Sequence, residues 1–209
     1  MNIGILGAGN VGGTLGTRWA QGGHHVTFGV RNPAALEMTE LLAKAGQTAR
    51  AAALNDTVAA SDVILLATPW APTQGILAGL PGLAGKILID ATNPLLPDLS
   101  LAVGTNISGG ELVAQWAPGA RVVKAFNTVG SGIMENPTFA AERAVLLYCG
   151  DDAEAKKAVR ALIDELGFDG EDAGPLRQAR LLEPCALLWI TMALVHGYGV
   201  NISFKLLRR

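Results

Sequence analysis

At 209 residues, half of them hydrophobic and 16% charged, the chain has the length of one domain, or one domain with a small appendage, and the apolar content for a sizeable core. A formal charge of −2 gives no electrostatic attraction to nucleic acid or an anionic membrane. Cys149 and Cys185 are isolated, without a Cys-x-x-Cys, and read as buried apolar residues. No basic stretch or cleavage site precedes the first strand, and the apolar stretch 186–195, interrupted only by Thr191, is read as too short to span a bilayer. The expected setting is soluble, reducing and cytoplasmic.

The chain opens on Ile3-Gly4-Ile5-Leu6 and passes at once into Gly7-Ala8-Gly9-Asn10-Val11-Gly12. An apolar run without alternation suits a strand covered on both faces. In the Gly-x-Gly-x-x-Gly that follows, Gly7 allows the tight strand-to-helix turn, Gly9 lets a pyrophosphate reach the backbone, and Gly12 lets the helix pack close to the strand. The free amides at the helix start then receive the anionic bridge of a dinucleotide. Val11, Leu15 and Trp19 recur at helical spacing, which predicts a helix over 10–21, ended by Gly22-Gly23. His24 and His25 are adjacent, so a strand would point them to opposite faces; they read as a turn and strand edge, not metal ligands.

Strand two is expected over 26–30, and its end decides the cofactor. An NAD site usually places a carboxylate there for the ribose 2′-hydroxyl. Here the residues are Gly29-Val30-Arg31-Asn32-Pro33. Arg31 offers a planar, permanently charged fork that suits a 2′-phosphate, Asn32 can add a hydrogen bond, and Pro33 suits the first turn of a helix over 33–45. The expected cofactor is NADP.

Further along, 48–54 reads as a weak strand, 56–60 as a short helix, and 62–67 as a buried strand ending in Thr68-Pro69-Trp70. Strand 86–91 ends in Thr92-Asn93-Pro94. Ligands of open α/β sheets bind at the carboxyl ends of strands, so Thr68, Pro69, Trp70 and Asn93 fall where ribose and nicotinamide should lie. Trp70 as core, and Asn93 as a local Asx turn, are the alternatives. Asp90 is expected to satisfy backbone groups at its strand end. An irregular loop over 95–110, a helix over 111–117 and a strand over 121–125 follow, then 126–131 at the carboxyl end. Strand 143–149, a turn with a capping Asp, an amphipathic helix over 153–166 and a last strand over 168–173 complete the series. Alternating strands and helices with apolar strands imply an α/β, Rossmann-type, doubly wound, mainly parallel sheet over 1–173.

Residues 174–209 differ in kind. Leu181, Leu182, Leu187, Leu188, Ile190, Met192, Leu194 and Val195 leave almost no polar face. Such a helix must be covered all round, here by the sheet and by a second subunit, so a homodimer is expected. The segment reads as a helical extension rather than an independent domain. Pro184 fits an early helix turn, Gly197-Tyr198-Gly199 a break before 202–207, and His196 reads as structural, with acid or ring-stacking partner as alternatives.

Several motifs together carry a family likeness: the 7–12 loop, Arg31-Asn32-Pro33, Thr68-Pro69-Trp70, Lys124-Ala125-Phe126-Asn127, Cys149-Gly150-Asp151-Asp152, Asp172-Ala173-Gly174-Pro175-Leu176 and Ala179-Arg180-Leu181-Leu182-Glu183. Over its whole length the chain resembles the NADPH-dependent coenzyme F420 reductases, and is similar to the cytosolic oxidoreductase domain of the STEAP metalloreductases. The resemblance implies hydride transfer between NADPH and coenzyme F420 or another flavin-like acceptor stacked on the nicotinamide. It puts Ala8 to Gly12 on the pyrophosphate, Arg31 on the 2′-phosphate, and Thr68, Pro69 and Asn93 beside ribose and nicotinamide. The loop carrying Asn127 and Ser131, with the C-terminal segment, would shape the acceptor pocket. No catalytic acid–base group and no metal are implied. Val30 stands where these relatives carry Ser, and Asn127 follows the STEAP-like pattern where the deazaflavin reductases commonly carry His. Two alternatives stay open. One is an enzyme of the β-hydroxyacid dehydrogenase or pyrroline-carboxylate reductase type, although those add a large helical domain. The other is a non-catalytic NADP-binding sensor.

Overall fold

The computed structural model describes residues 1–104 and 106–209. Its strands are β1 (Asn2–Leu6), β2 (His25–Gly29), β3 (Ala49–Ala52), β4 (Val63–Leu66), β5 (Ile87–Asp90), β6 (Arg121–Lys124), β7 (Thr138–Phe139), β8 (Glu142–Arg143), β9 (Val145–Gly150) and β10 (Asp169–Asp172). Eight of them form one sheet in the order β10-β9-β6-β5-β4-β1-β2-β3, and β7 and β8 make a separate hairpin. Strands β3 to β6 run parallel; β9 is antiparallel to β6, and β10 is parallel to β9. This is the doubly wound, mainly parallel Rossmann-type sheet that the alternating elements predict. The order reverses between β1 and β4, the crevice where such sheets bind ligands.

The helices are α1 (Asn10–Gln21), α2 (Leu36–Ala45), α3 (Leu54–Ala59), α4 (Trp70–Ala78), α5 (Gly109–Trp116), α6 (Ser131–Glu135), α7 (Ala153–Glu165) and α8 (Ala179–Ile190). One layer buries Ile3, Ile5, Leu15, Trp19 and Phe28 with the α7 residues Val159, Leu162 and Ile163. The other face buries Leu6, Ile64, Leu66 and Leu88 against Leu77 of α4 and Val113 of α5. Central strands buried on both faces explain their unbroken apolar runs.

Four expectations need correction. Helix α2 starts at Leu36, not Pro33. The Asn32 side chain accepts from the Ala34 amide at 3.2 Å, and this Asx turn keeps Pro33 outside the helix. Helix α4, absent from the sequence reading, occupies 70–78 despite Pro72 and Gly75; a proline in the first turn costs no internal hydrogen bond. Pro184 is the sixth residue of α8, not an early one, so the Arg180 carbonyl lacks its helical donor. The helical stretch Leu176–Val195 is also long and apolar enough, by length and composition, to cross a membrane. In the fold its Leu182, Ala186 and Trp189 are buried and its Glu183 and Arg180 are ion-paired with the domain, as in a helix docked on a sheet.

Between α5 and the preceding strand the backbone is irregular, as expected; the part of that expectation falling on Thr105 lies outside the described residues. Ser108 ends the loop with a capping box, its hydroxyl accepting from the Glu111 amide while Glu111 reaches back to the Ser108 amide. After α8 comes a π-helical turn, Thr191–Val195. The chain then doubles back, with the Trp189 indole donating to the Ile202 carbonyl at 2.7 Å and the Val145 amide to Phe204 at 3.4 Å. Residues 202–207 form no helix. His24 bridges Glu165 at 2.7 Å and the N-terminal amine at 3.1 Å, whereas His25 is exposed.

Candidate cofactor site

Each glycine of the first turn meets a different surrounding. Gly7 adopts φ +101°, and a methyl group there would stand 2.7 Å from the Ala67 carbonyl oxygen. At Gly12 a methyl would fall 1.9 Å from the Gly7 carbonyl, where backbone cannot yield. At Gly9 the same construction meets nothing within 4 Å. Two glycines are therefore required by the fold, and the third leaves open space in front of the backbone. That is the cradle a pyrophosphate needs at the start of α1.

The cradle opens into a cleft of about 290 Å³ lined by Gly9, Asn10, Val11, Ala67, Thr68, Pro69, Trp70, Ala91, Thr92 and Asn93. The fold thus brings together three segments separated by some 60 and 20 residues in sequence, the ends of β1, β4 and β5. Thr73 donates to the Pro69 carbonyl at 2.9 Å, so Thr68 donates to Thr73 at 3.0 Å and keeps its lone pairs for a ligand. Trp70 has two roles: it lines the cleft, and its ring lies 5.3 Å from that of Trp116 in the second core layer.

Asn93 does not make the Asx turn that was its alternative. Its amide donates to the Asn127 carbonyl at 3.0 Å, and Asn127 Nδ2 donates to Asn93 Oδ1 and to the Leu182 carbonyl, each at 3.2 Å. Asn127 therefore joins the cleft wall to α8 without itself lining the cleft. Its Oδ1 is buried with no partner among the described residues. The preceding residue, Phe126, is buried at φ +66°, an unusual conformation for a bulky side chain. Its ring is held edge-on by Trp19 and Phe168. Ser131 opens α6 and lies outside the cleft lining, as do Arg31 and Asn32, which are exposed beyond the end of β2. Arg31 has no ion-pair partner among the described residues.

Beneath the cleft lies a charged cluster that the sequence reading did not assemble. Lys124, fully buried, donates to Asp90 Oδ2 at 2.9 Å, to the Thr92 carbonyl at 2.7 Å and pairs with Glu183 Oε1 at 2.9 Å. Burial opposes its charge, but Asp90 and then Glu183 outweigh that and hold the ammonium above its ordinary range. Asp90 Oδ1 accepts from the Thr92 amide and hydroxyl, as expected of a strand-end carboxylate. Glu183 accepts from the Gly109 and Gly110 amides, capping α5 from another helix. Arg180 adds a two-pronged bond to Glu111 at 2.6 and 2.8 Å. Lys124, Arg180 and Glu183 stand in motifs of the family likeness and Asp90 at a strand end, but nothing in their spacing says they meet.

A family model described as NADP oxidoreductase, coenzyme F420-dependent, matches residues 2–94. The F420-dependent NADP reductase of Methanocaldococcus jannaschii is 30% identical over 223 residues, covering 98% of this chain and 94% of that protein. The chain belongs to the F420-dependent NADP oxidoreductase family. An Arthrobacter sp. FB24 crystal structure described as an F420-dependent NADP reductase shares the fold with a TM-score of 0.90 and 34% identity over 100% of both chains. Metalloreductase STEAP3 of Rattus norvegicus is 32% identical over 185 residues, 88% of this chain but 36% of that protein, so the chain spans about a third of its length. A reductive aminase from Aspergillus terreus, solved with NADPH, shares 25% identity and a TM-score of 0.68 over 94% of this chain and 62% of its own. As a member of this family the chain is an NADP-dependent oxidoreductase.

Proposed function

We propose that the protein transfers a hydride between NADPH and coenzyme F420 or another flavin-like acceptor. The observation that carries this reading is the match to the M. jannaschii F420-dependent NADP reductase, which covers 98% of this chain and 94% of that protein.

In this proposal the amides around Gly9 and the start of α1 hold the pyrophosphate, and Arg31 with the free amide of Asn32 holds the 2′-phosphate. Thr68, Pro69 and Asn93 flank the ribose and nicotinamide, with Trp70 closing one side. Bound NADPH supplies the hydride. The residues of the chain orient the two rings and exclude water; such a step needs no side-chain proton donor, only distance and stacking. Asn127, anchored to α8, would set how far the C-terminal segment stands from the nicotinamide. Ser131 would border the acceptor from α6.

Helix α8 also supports a homodimer. Leu181, Cys185 and Leu188 of α8 follow one another at intervals of 4 and 3, Leu181 and Leu188 are more than half exposed, and Val195 of the π-helical turn is exposed beyond them. An apolar seam of that period suits a second helix.

The test is NADPH oxidation against a panel of F420, FMN, FAD and quinones. Turnover with F420 or a flavin is expected. Tight NADPH binding without turnover by any of them would mark an NADP-binding sensor instead.

A further inference from the structure

The cluster beneath the cleft has an odd charge count. Every oxygen of Asp90 and Glu183 accepts from a donor: Thr92 amide and hydroxyl, Lys124, and the Gly109 and Gly110 amides. An ionised carboxyl group only accepts, and donors surround all four oxygens, so the hydrogen bonding suits a pair of carboxylates. Against these two negative charges stands the single ammonium of Lys124, and all three side chains are at most 2% exposed. The other charged groups packed against them do not redress the count. Glu111 and Arg180 neutralise each other, Asp151 is exposed to solvent, and the Cys149 thiol is pushed up to about 12 by burial and so stays neutral. The N-terminus of α5 softens the excess with its amide dipoles but contributes no whole charge.

This negative charge is close to the cofactor site. Thr92 gives its amide and hydroxyl to Asp90 and its carbonyl to Lys124, and the same residue lines the cleft between Ala91 and Asn93. One residue thus separates the cluster from the space assigned to the nicotinamide. The oxidised nicotinamide ring carries a positive charge and the reduced ring none, while the two forms share nearly every other group. A fixed charge in dry surroundings therefore discriminates between them by Coulomb attraction.

We propose that the Asp90–Lys124–Glu183 cluster makes the cleft selective for the oxidised form of its cofactor. By linkage, tighter hold on NADP⁺ than on NADPH makes bound NADPH a stronger donor of its hydride, two electrons with one proton, to the flavin-like acceptor. The cluster then biases the enzyme toward reducing that acceptor. The inference rests on the reading of the cleft as a nicotinamide site.

Equilibrium titration with NADP⁺ and with NADPH, each alone and without acceptor, tests it. Wild-type protein should bind NADP⁺ more tightly than NADPH; the opposite order overturns the proposal. Glu183→Gln and Asp90→Asn each remove the excess charge, and the ratio of the Kd for NADP⁺ to that for NADPH should rise about three- to tenfold. Lys124→Met combined with Glu183→Gln restores one net negative charge, and the ratio should return toward the wild-type value. A merely structural lesion weakens both ligands alike, so an unchanged ratio in a folded neutral variant also overturns the proposal. Should the variants not fold, the wild-type order alone decides. If neither nucleotide binds the wild-type protein, it is the cleft assignment that has failed.

Discussion

The side chains of Asn93 and Asn127 hold one another across the ends of β5 and β6, and Asn127 spends its remaining amide hydrogen on the Leu182 carbonyl of α8. The amide orientation is fixed by these two acceptors. Asn127→Ala should cost about 1–3 kcal/mol, since it strands a buried acceptor. Asn127→Asp should cost more, because a carboxylate would face two oxygens. Urea unfolding compares them, and equal midpoints would show that the amide's donors are not what matters.

Gly9 and Gly12 separate folding from binding. Gly9→Ala places a methyl where nothing lies within 4 Å, so the melting temperature should hold while NADPH affinity falls by about tenfold or more as the pyrophosphate is pushed from the amides. Gly12→Ala collides with backbone and should destabilise the protein by about 1–3 kcal/mol. Calorimetric melting with and without NADPH reads both effects.

Arg31→Glu should lower NADPH affinity by about 10- to 100-fold, about 1.4–3 kcal/mol, and leave NADH nearly unaffected. Titration with both nucleotides gives the ratio. An unchanged ratio would remove Arg31 from the 2′-phosphate.

The Glu111–Arg180 pair gives a pH dependence. The Arg180 guanidinium, working against burial and helped by Ser108, holds the Glu111 carboxyl down to about 2 from 4.5. A depressed carboxyl contributes stability above its unfolded value, and that contribution fades as pH falls through 4.5 toward 2. The pair is open to solvent, so the contribution is small. The stability gap between wild type and Arg180→Met, measured by urea at pH 7, 5 and 3.5, should be largest at pH 7 and narrow at pH 3.5.

Leu188→Arg places a charge in the middle of the exposed α8 seam. Sedimentation at micromolar concentration should show the wild type as a dimer and the variant as a monomer, with its secondary structure intact. A monomeric wild type removes the proposed subunit contact.

The strands and α1 were legible because burial on both faces, or on one helical stripe, writes itself into local patterns such as Val63–Leu66. Helix α4 was not, because Pro72 and Gly75 read as breakers until their positions within the helix are known. The cleft residues were legible through one rule about strand ends, and Thr92 was missed beside Asn93. Lys124 and Glu183 stand in two separate motifs without an assigned role; 59 positions apart in sequence, they become partners only where α8 docks beside the end of β6. The left-handed backbone of Phe126 has no sequence signal, since any other bulky residue would read the same.

Strand β9 pairs with β6 only through Gly150 and Cys149, so its early residues run past the end of their neighbour. There the chain's last segment lies alongside: Phe204 takes the Val145 amide, Lys205 binds the Arg143 carbonyl and Asp169, and Arg208 pairs with Glu171. An open strand edge of apolar residues is a template for pairing with a strand of another molecule. Residues 204–208 lie along that edge with basic side chains, which leaves less of it open to such pairing.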